Sequence, residues 1–312
     1  MAEAVQVRTV PRAHRRRWLT MSRREALHFY LFISPWMIGF LVFTAGPILA
    51  SLYLSFTDYA IVGAPVWKGL ANYRKAFTED PLFWKSLANT GYYVGVGVPL
   101  RIVFAFLLAA LLNTDIKGRL FYRVTYYMPS IIPGVAASVL WLVLLNPRLG
   151  LINLLLNLMG FPSINWLGNP LYSKPALILM SLWGVGGSMV IYLAGFQSIP
   201  DVLYEAAQID GAGAWAKFWH VTIPLMTPTL LFNLIMQIIN SFQVFASAFI
   251  MTGGGPLNST LFYMLHLYNN AFSFFKMGYA SALAWVLFVI ILLLTLLTLK
   301  WSEAWVFYAG GR

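Results

Sequence analysis

The sequence predicts an all-α fold: a polytopic integral membrane protein with six transmembrane helices. Three observations carry that expectation. Of 312 residues, 60% are hydrophobic and only 10% charged, whereas a soluble domain carries about 25% charged residues. Six apolar stretches reach the roughly 20 residues a helix needs to cross a hydrocarbon core. One long polar excursion, residues 199–222, separates the fourth stretch from the fifth.

The first 26 residues form a basic tail with Arg8, Arg12, Arg15, Arg16, Arg17, Arg23 and Arg24. Much of the net charge of +11 lies there. A basic tail beside an apolar span is the positive-inside signature, and anionic lipid is its usual partner; the pattern argues against nucleic acid. The first span covers residues 27–56, with Pro35 and Gly46-Pro47 as expected kinks, and is too long for a cleaved signal peptide. A mixed-charge outer segment, 58–85, contains a short surface helix over 72–77. The second span covers 86–112, and Lys117, Arg119 and Arg123 then mark a return to the cytoplasmic side. The third span is expected over 124–145, opening on Pro129 and Pro133. Residues 149–159 are apolar but too short to cross, which predicts an interfacial helix. The fourth span runs from Lys174 or Pro175 to near Gln197, the fifth over 223–251, and the sixth over 277–299. An even count puts both termini on one side, and the arginines make that side the cytoplasm. The division expected is a basic cytoplasmic tail, 1–26, and a transmembrane domain, 27–312.

No cysteine occurs, which removes disulfides and thiolate chemistry together. No phosphate-binding Gly-rich loop is present, so the chain has no ATP chemistry of its own. The histidines His14, His28, His220 and His266 form no paired set, which argues against a metal centre. The spans contain no Asp or Glu and no inverted repeat is visible, which weighs against an ion-coupled secondary transporter.

The polar excursion holds the sharpest signal. Ser198 followed by Asp201, with Pro200 between, predicts a helix start. Good helix formers follow from Asp201 to Ala207. Gly211 sits where a reversal is needed, and a second short helix, 214–220, leads to Pro224. Two short helices with a glycine bend, set across the spans, make a knob that a partner can grip.

At this knob the chain resembles the permease subunits of bacterial ABC importers. Glu205-Ala206-Ala207, Asp210-Gly211-Ala212 and Val221-Thr222-Ile223-Pro224 match the shared loop of that family at its spacing. Gly69-Leu70-Ala71-Asn72-Tyr73, Asn165-Trp166-Leu167-Gly168 and Gly253-Gly254-Gly255-Pro256 extend the resemblance and narrow it to carbohydrate-uptake permeases of the maltose and glycerol-3-phosphate type. The resemblance implies a second, non-identical permease, two cytoplasmic ATPases that hold ATP and Mg, and an extracytoplasmic solute-binding protein. It implies a location in the bacterial inner membrane and no cofactor bound by this chain. Glu205, Ala206, Ala207, Asp210, Gly211, Ala212 and Pro224 inherit the coupling-loop positions.

Polar residues deep in apolar helices face a bundle interior or an aqueous cavity. On the fifth span Asn233, Gln237, Asn240, Ser241 and Val244 recur at helical spacing and predict one polar face. Amides and hydroxyls there suit sugar hydroxyls; packing between helices is the other use of such residues. The fourth span offers Met180, Trp183, Gly184, Gly187 and Ser188. Counted from Pro256 and from Glu205, the resemblance places Gln237, Asn240, Ser241, Val244, Met180, Trp183, Gly184 and Gly187 on sugar-contact positions.

Arg101 is the one charge near the middle of a span. Its expected partner is a residue of the second permease, a set of carbonyls, or an anionic solute. The last option keeps glycerol-3-phosphate or another anionic polyol open beside a neutral sugar.

Overall fold

The computed structural model describes residues 21–307; residues 1–20, most of the expected basic tail, and the last five residues lie outside the described part. A first compact unit ends at Ser51. It holds α1 (Met21–Phe40), a π turn over Leu41–Ala45 and the start of α2 (Gly46–Ser55). Pro35 is carried inside α1, and the expected break at Gly46-Pro47 is a one-turn widening with no interruption of the helix.

From Leu52 onward the chain forms a second unit. A two-stranded ribbon, β1 (Thr57–Asp58) with β2 (Val66–Trp67), leads to α3 (Ala71–Arg74) and a π turn, Lys75–Glu79. The expected surface helix is therefore present. The longest helix follows, α4 (Pro81–Leu112). Asp80 starts it by accepting the backbone N–H groups of Leu82 and Phe83, with Pro81 in the first turn. At 1.5 Å per residue its 32 residues extend about 48 Å, more than a hydrocarbon core requires.

The third expected span is not one helix. It divides into α5 (Arg119–Tyr127), a 3₁₀ turn over Met128–Ile131, and α6 (Gly134–Leu144). The two halves meet at 102°. Pro133 sits at the corner with ψ 137°, outside the helical region, and a proline lacks the N–H needed to bridge the gap. The expected short apolar helix appears as α7 (Leu151–Leu158).

The fourth span is broken too, into α8 (Pro170–Trp183) and α9 (Gly186–Gln197), which are bent by 48° across Gly184 and Val185. The knob follows as α10 (Asp201–Ile209) and α11 (Ala214–Lys217). A π turn, Phe218–Thr222, carries α11 directly into α12 (Ile223–Phe242). The chain leaves the helix at Gln243, resumes as α13 (Ala246–Met251), and passes through α14 (Tyr263–Tyr268) to α15 (Met277–Ser302). Four helical stretches are long and apolar enough to cross a membrane, and six spans result when each bent pair counts as one.

α4 is the hub. Its second half packs Phe106 against Tyr192 and Phe196 of α9, with ring centroids 5.5 and 5.1 Å apart, in a cluster that includes Met226 of α12. Its first half joins Tyr93 to Phe262, Leu177 and Trp141. Phe83, Tyr263, Tyr279 and Leu283 form a third cluster with α14 and α15. In lipid, no hydrophobic gain separates helix–helix from helix–lipid contact, so close packing and interhelical hydrogen bonds hold such clusters together.

Candidate functional site

Two places gather the residues that the sequence singles out. One is a polar core between α4, α8 and α12; the other is the foot formed by α10 and α11.

Arg101 stands about two thirds of the way along α4 and is 6% exposed. Its Nε donates to Oε1 of Gln237 at 2.9 Å, and Nη1 donates to Oγ of Ser181 at 2.9 Å and to the Tyr93 hydroxyl at 3.3 Å. Nη2 donates to Oγ of Ser241. The guanidinium carbon lies 5.3 Å from the Tyr93 ring centroid. Gly97, one turn before it, lies against the guanidinium: a Cβ there would sit 3.4 Å from Nη1, at ordinary contact distance. Among the described residues the ion pairs are Lys68–Asp58 and Arg119–Asp115, and Asp80 is held by His266, so Arg101 has no carboxylate. Its partners are neutral side chains of this same chain, a fourth possibility beside the three expected from sequence.

Gln237 and Ser241 thus serve the arginine. Gln237 also donates from Nε2 to Ser188 at 3.0 Å, and Ser241 donates to the Gln237 carbonyl. The expected polar face does not continue to Val244. α12 ends at Phe242, Gln243 caps it, and Val244 packs half-buried in the break. Asn240 is exposed, and Asn233 is buried with its amide turned back onto the Thr229 carbonyl at 3.0 Å. Four of the five therefore divide between the arginine, the surface and the helix backbone, and Val244 lies beyond the helix end.

The fourth-span set fares differently. Met180, Trp183 and Gly184 line an open cavity of about 210 Å³ together with Tyr93, Ser181 and Ser247. Trp183 meets Trp141 edge to face, with centroids 6.2 Å apart. Gly187 lies outside that lining, with open space where its Cβ would be. The cavity lies at the bend between α8 and α9, where Gly184 contributes to its lining. Tyr93 and Ser181 both rim the cavity and accept from Arg101, so the charge stands directly behind the wall.

On the foot, Glu205, Ala206, Asp210 and Gly211 are exposed, while Ala207 and Ala212 are half-buried. Gly211 has φ +80°, a left-handed conformation that a side chain would strain. Ser198 does not cap the first arm: its hydroxyl donates to the Gly195 carbonyl, and Pro200 occupies the cap position. The second arm is no separate crosswise helix either, because its π turn runs into α12 and sets Pro224 in the first turn of that span. The arms are tied by the Tyr204 hydroxyl and Thr222 Oγ1 at 2.9 Å, and by Lys217 Nζ donating to Gln208 at 3.4 Å. Ile209 is 87% and Trp215 73% exposed, giving the foot an apolar surface.

Sequence reasoning missed Tyr93 and Ser181. Tyr93 lies two turns before Arg101 on the same face of α4, a spacing that could have flagged it. A further constellation went unread: Oδ2 of Asp80 accepts from the Tyr279 hydroxyl at 2.7 Å and lies 2.9 Å from Nε2 of His266. No group of three or more metal-ligating side chains occurs among the described residues.

A bundle of membrane-crossing helices with a polar core, a cavity beside a broken span and an exposed helical foot defines a multi-pass membrane permease. Residues 101–305 match the family described as binding-protein-dependent transport system inner membrane component, and the chain belongs to that family. It is 47% identical over 92% of its length to a probable ABC transporter permease protein, YesP, of Bacillus subtilis, covering 94% of that protein. It is 33% identical to the trehalose/maltose transport system permease protein MalF of Thermococcus litoralis, covering 89% of this chain and 94% of that one. It is 32% identical to the sulfoquinovosyl glycerol transport system permease protein SmoG of Agrobacterium fabrum, covering 91% and 92%. The fold is that of a chain in a bacterial ABC transporter that imports alginate, with a TM-score of 0.79, 24% identity, and coverage of 90% of this chain and 96% of that one.

Proposed function

We propose that this permease carries a sugar or sugar-like solute into the cell across the bacterial inner membrane, driven by ATP that separate subunits hydrolyse. It works as one half of a pair with a second, non-identical permease. Two cytoplasmic ATPases hold ATP and Mg, and an extracytoplasmic binding protein delivers the solute. Both termini and the foot face the cytoplasm, with the basic tail of residues 1–26 against anionic lipid and the permease domain following from residue 27. Relatives named for trehalose/maltose and sulfoquinovosyl glycerol support the solute class.

The observation that carries this reading is the exposed turn from Glu205 to Ala212, braced by the Tyr204–Thr222 hydrogen bond and continuous with α12. A push on the foot therefore reaches the helix that holds Gln237 and Ser241 against Arg101. A rigid lever is what a motor outside the membrane needs. Met180, Trp183 and Gly184 supply the wall of the solute path, with Gly187 beside it; Trp183 offers a ring face to a pyranose. Gln237 and Ser241 hold the charge behind that wall, while Asn240 and Val244 flank the polar core.

The test is uptake of labelled sugar and ATPase activity, measured together in the intact importer. Gly211→Pro and Glu205→Lys should each abolish uptake while the chain still inserts, with ATP hydrolysis no longer raised by loaded binding protein. Normal uptake in both variants would remove the foot from the coupling path.

A further inference from the structure

We propose that the seam between α4 and α8 selects a carboxylate-bearing saccharide, taken at the Tyr93 hydroxyl in front of the charge on Arg101. This rests on the cavity beside Trp183 being part of the solute path. Tyr93, Gly97 and Arg101 follow one another at four-residue spacing and line a buried side of α4, while Asn89 and the exposed Lys85 lie further toward its start, turned progressively away because each such step drifts about 40°. Lys174, near the start of α8, reaches α4 at Asn89: its Nζ donates to Oδ1 of Asn89 at 3.2 Å and lies 4.9 Å from the Tyr92 ring centroid. Lys174 is also near enough to Lys85 to feel its like charge. Among the described residues neither lysine has an ion pair, and nor does Arg101. Arg101 is thus a buried cation behind the cavity wall, with Lys174 bonded to Asn89 further toward the start of α4 and no carboxylate of the described chain paired with either.

A purely structural staple gives a poorer account of this arrangement. Amides and hydroxyls can join membrane helices without a net charge, and a buried charge with neutral partners keeps its field. Tyr93 converts that field into a binding group. Its oxygen accepts from Nη1 of Arg101, which strengthens its own O–H as a donor. That proton has no acceptor among the described residues, and Tyr93 rims the cavity. Ser181 is different, since its hydroxyl already donates to the Ile178 carbonyl. A single guanidinium balances a single negative charge, which fits a carboxylate better than a phosphate monoester carrying about −1.5 to −2. Asp80, at the start of α4, is engaged by His266 of α14 and Tyr279 of α15. Arg101 acts here through Tyr93 as a positioning and charge-selecting residue.

The test uses the whole importer in lipid nanodiscs without its binding protein, so that the path's own preference is read. The probes are a uronate disaccharide and the neutral disaccharide of the same linkage, at low and high salt. The wild type should hold the acidic probe at least tenfold more tightly, with the preference shrinking in salt. Arg101→Gln and Tyr93→Phe should each bring the two probes within about twofold. Arg101→Lys should restore part of the preference, which a role in packing alone would not produce. Lys174→Gln should lower the acidic probe's affinity about threefold and reduce its salt dependence. Should Arg101→Gln fail to assemble, Tyr93→Phe and Lys174→Gln decide the matter, and an unchanged preference in both overturns the inference. Equal binding of both probes by the wild type overturns it while leaving the cavity on the path. Binding of neither probe removes the cavity from the path and takes the inference with it.

Discussion

The Tyr204 hydroxyl lies 2.9 Å from Oγ1 of Thr222, and this bond closes the foot on itself. Tyr204 belongs to α10, and Thr222 ends the π turn that runs into α12. The bond ties the first arm to a helix that enters the membrane.

Tyr204→Phe removes that bond at little steric cost. A net hydrogen bond is worth about 0.5–1.5 kcal/mol, so the effect on stability should be small and the effect on coupling larger. The expected outcome is a lower ratio of solute carried to ATP hydrolysed with nearly unchanged expression. An unchanged ratio would show that the foot transmits force without this brace.

Gln237→Leu should damage the protein itself. It strips an acceptor from Nε of a buried arginine and a donor from Ser188. Leaving a buried polar group unsatisfied costs about 1–3 kcal/mol, more when it is charged. The purified protein should unfold at a lower temperature, and an unaltered midpoint would show the network to be slack.

Asn240→Leu should do the opposite. Asn240 is exposed, one turn from Gln237 on the same helix. Stability should hold while uptake falls, as expected of a side chain on the solute route. Full uptake kinetics in this variant would take Asn240 off that route.

The Asp80–His266 pair should make the protein acid-sensitive. Burial pushes the Asp80 carboxyl up, but the Tyr279 hydroxyl, the His266 charge and the Leu82 N–H outweigh it, leaving the group below the usual carboxylate range. Burial pulls the His266 imidazole down by more than Asp80 raises it. In both cases the unfolded chain binds protons more readily than the folded one, so stability rises with pH and is lost as pH falls. The loss should begin below about 6.5 as the imidazole titrates, and deepen below about 3.9 with the carboxyl. Thermal unfolding in detergent should show a midpoint that drops from about pH 7.5 to about pH 5.5, with a smaller drop in His266→Gln. A midpoint that rises on acidification would reverse the assignment.

Much of this organisation is legible in the sequence because hydrocarbon imposes a length on every span and ejects polar segments. The foot was readable for that reason, as were α7 and the short helix at Ala71. The bends were not, since whether Pro133 turns a corner or is absorbed depends on what packs around it, and Pro35 is carried within a continuous helix. Ser198 met the sequence criteria for a cap, yet the helix before it claimed its hydroxyl. Arg101 stood out by its charge alone. Of its partners Gln237 and Ser241 stood out as well, but Tyr93 and Ser181 did not, because a tyrosine and a serine in apolar helices look like packing until the fold sets a cation beside them. Val244 was misplaced because helical spacing was carried past the point where α12 ends.

The most direct measurement concerns the foot, and the absence of cysteine makes it clean. A single Ala206→Cys substitution puts one thiol on the exposed face of α10. The expected result is no labelling by a membrane-impermeant maleimide in intact cells, strong labelling in inside-out vesicles stripped of ATPase, and protection when the ATPase is restored. Labelling from outside, or equal labelling with and without the ATPase, would contradict the account.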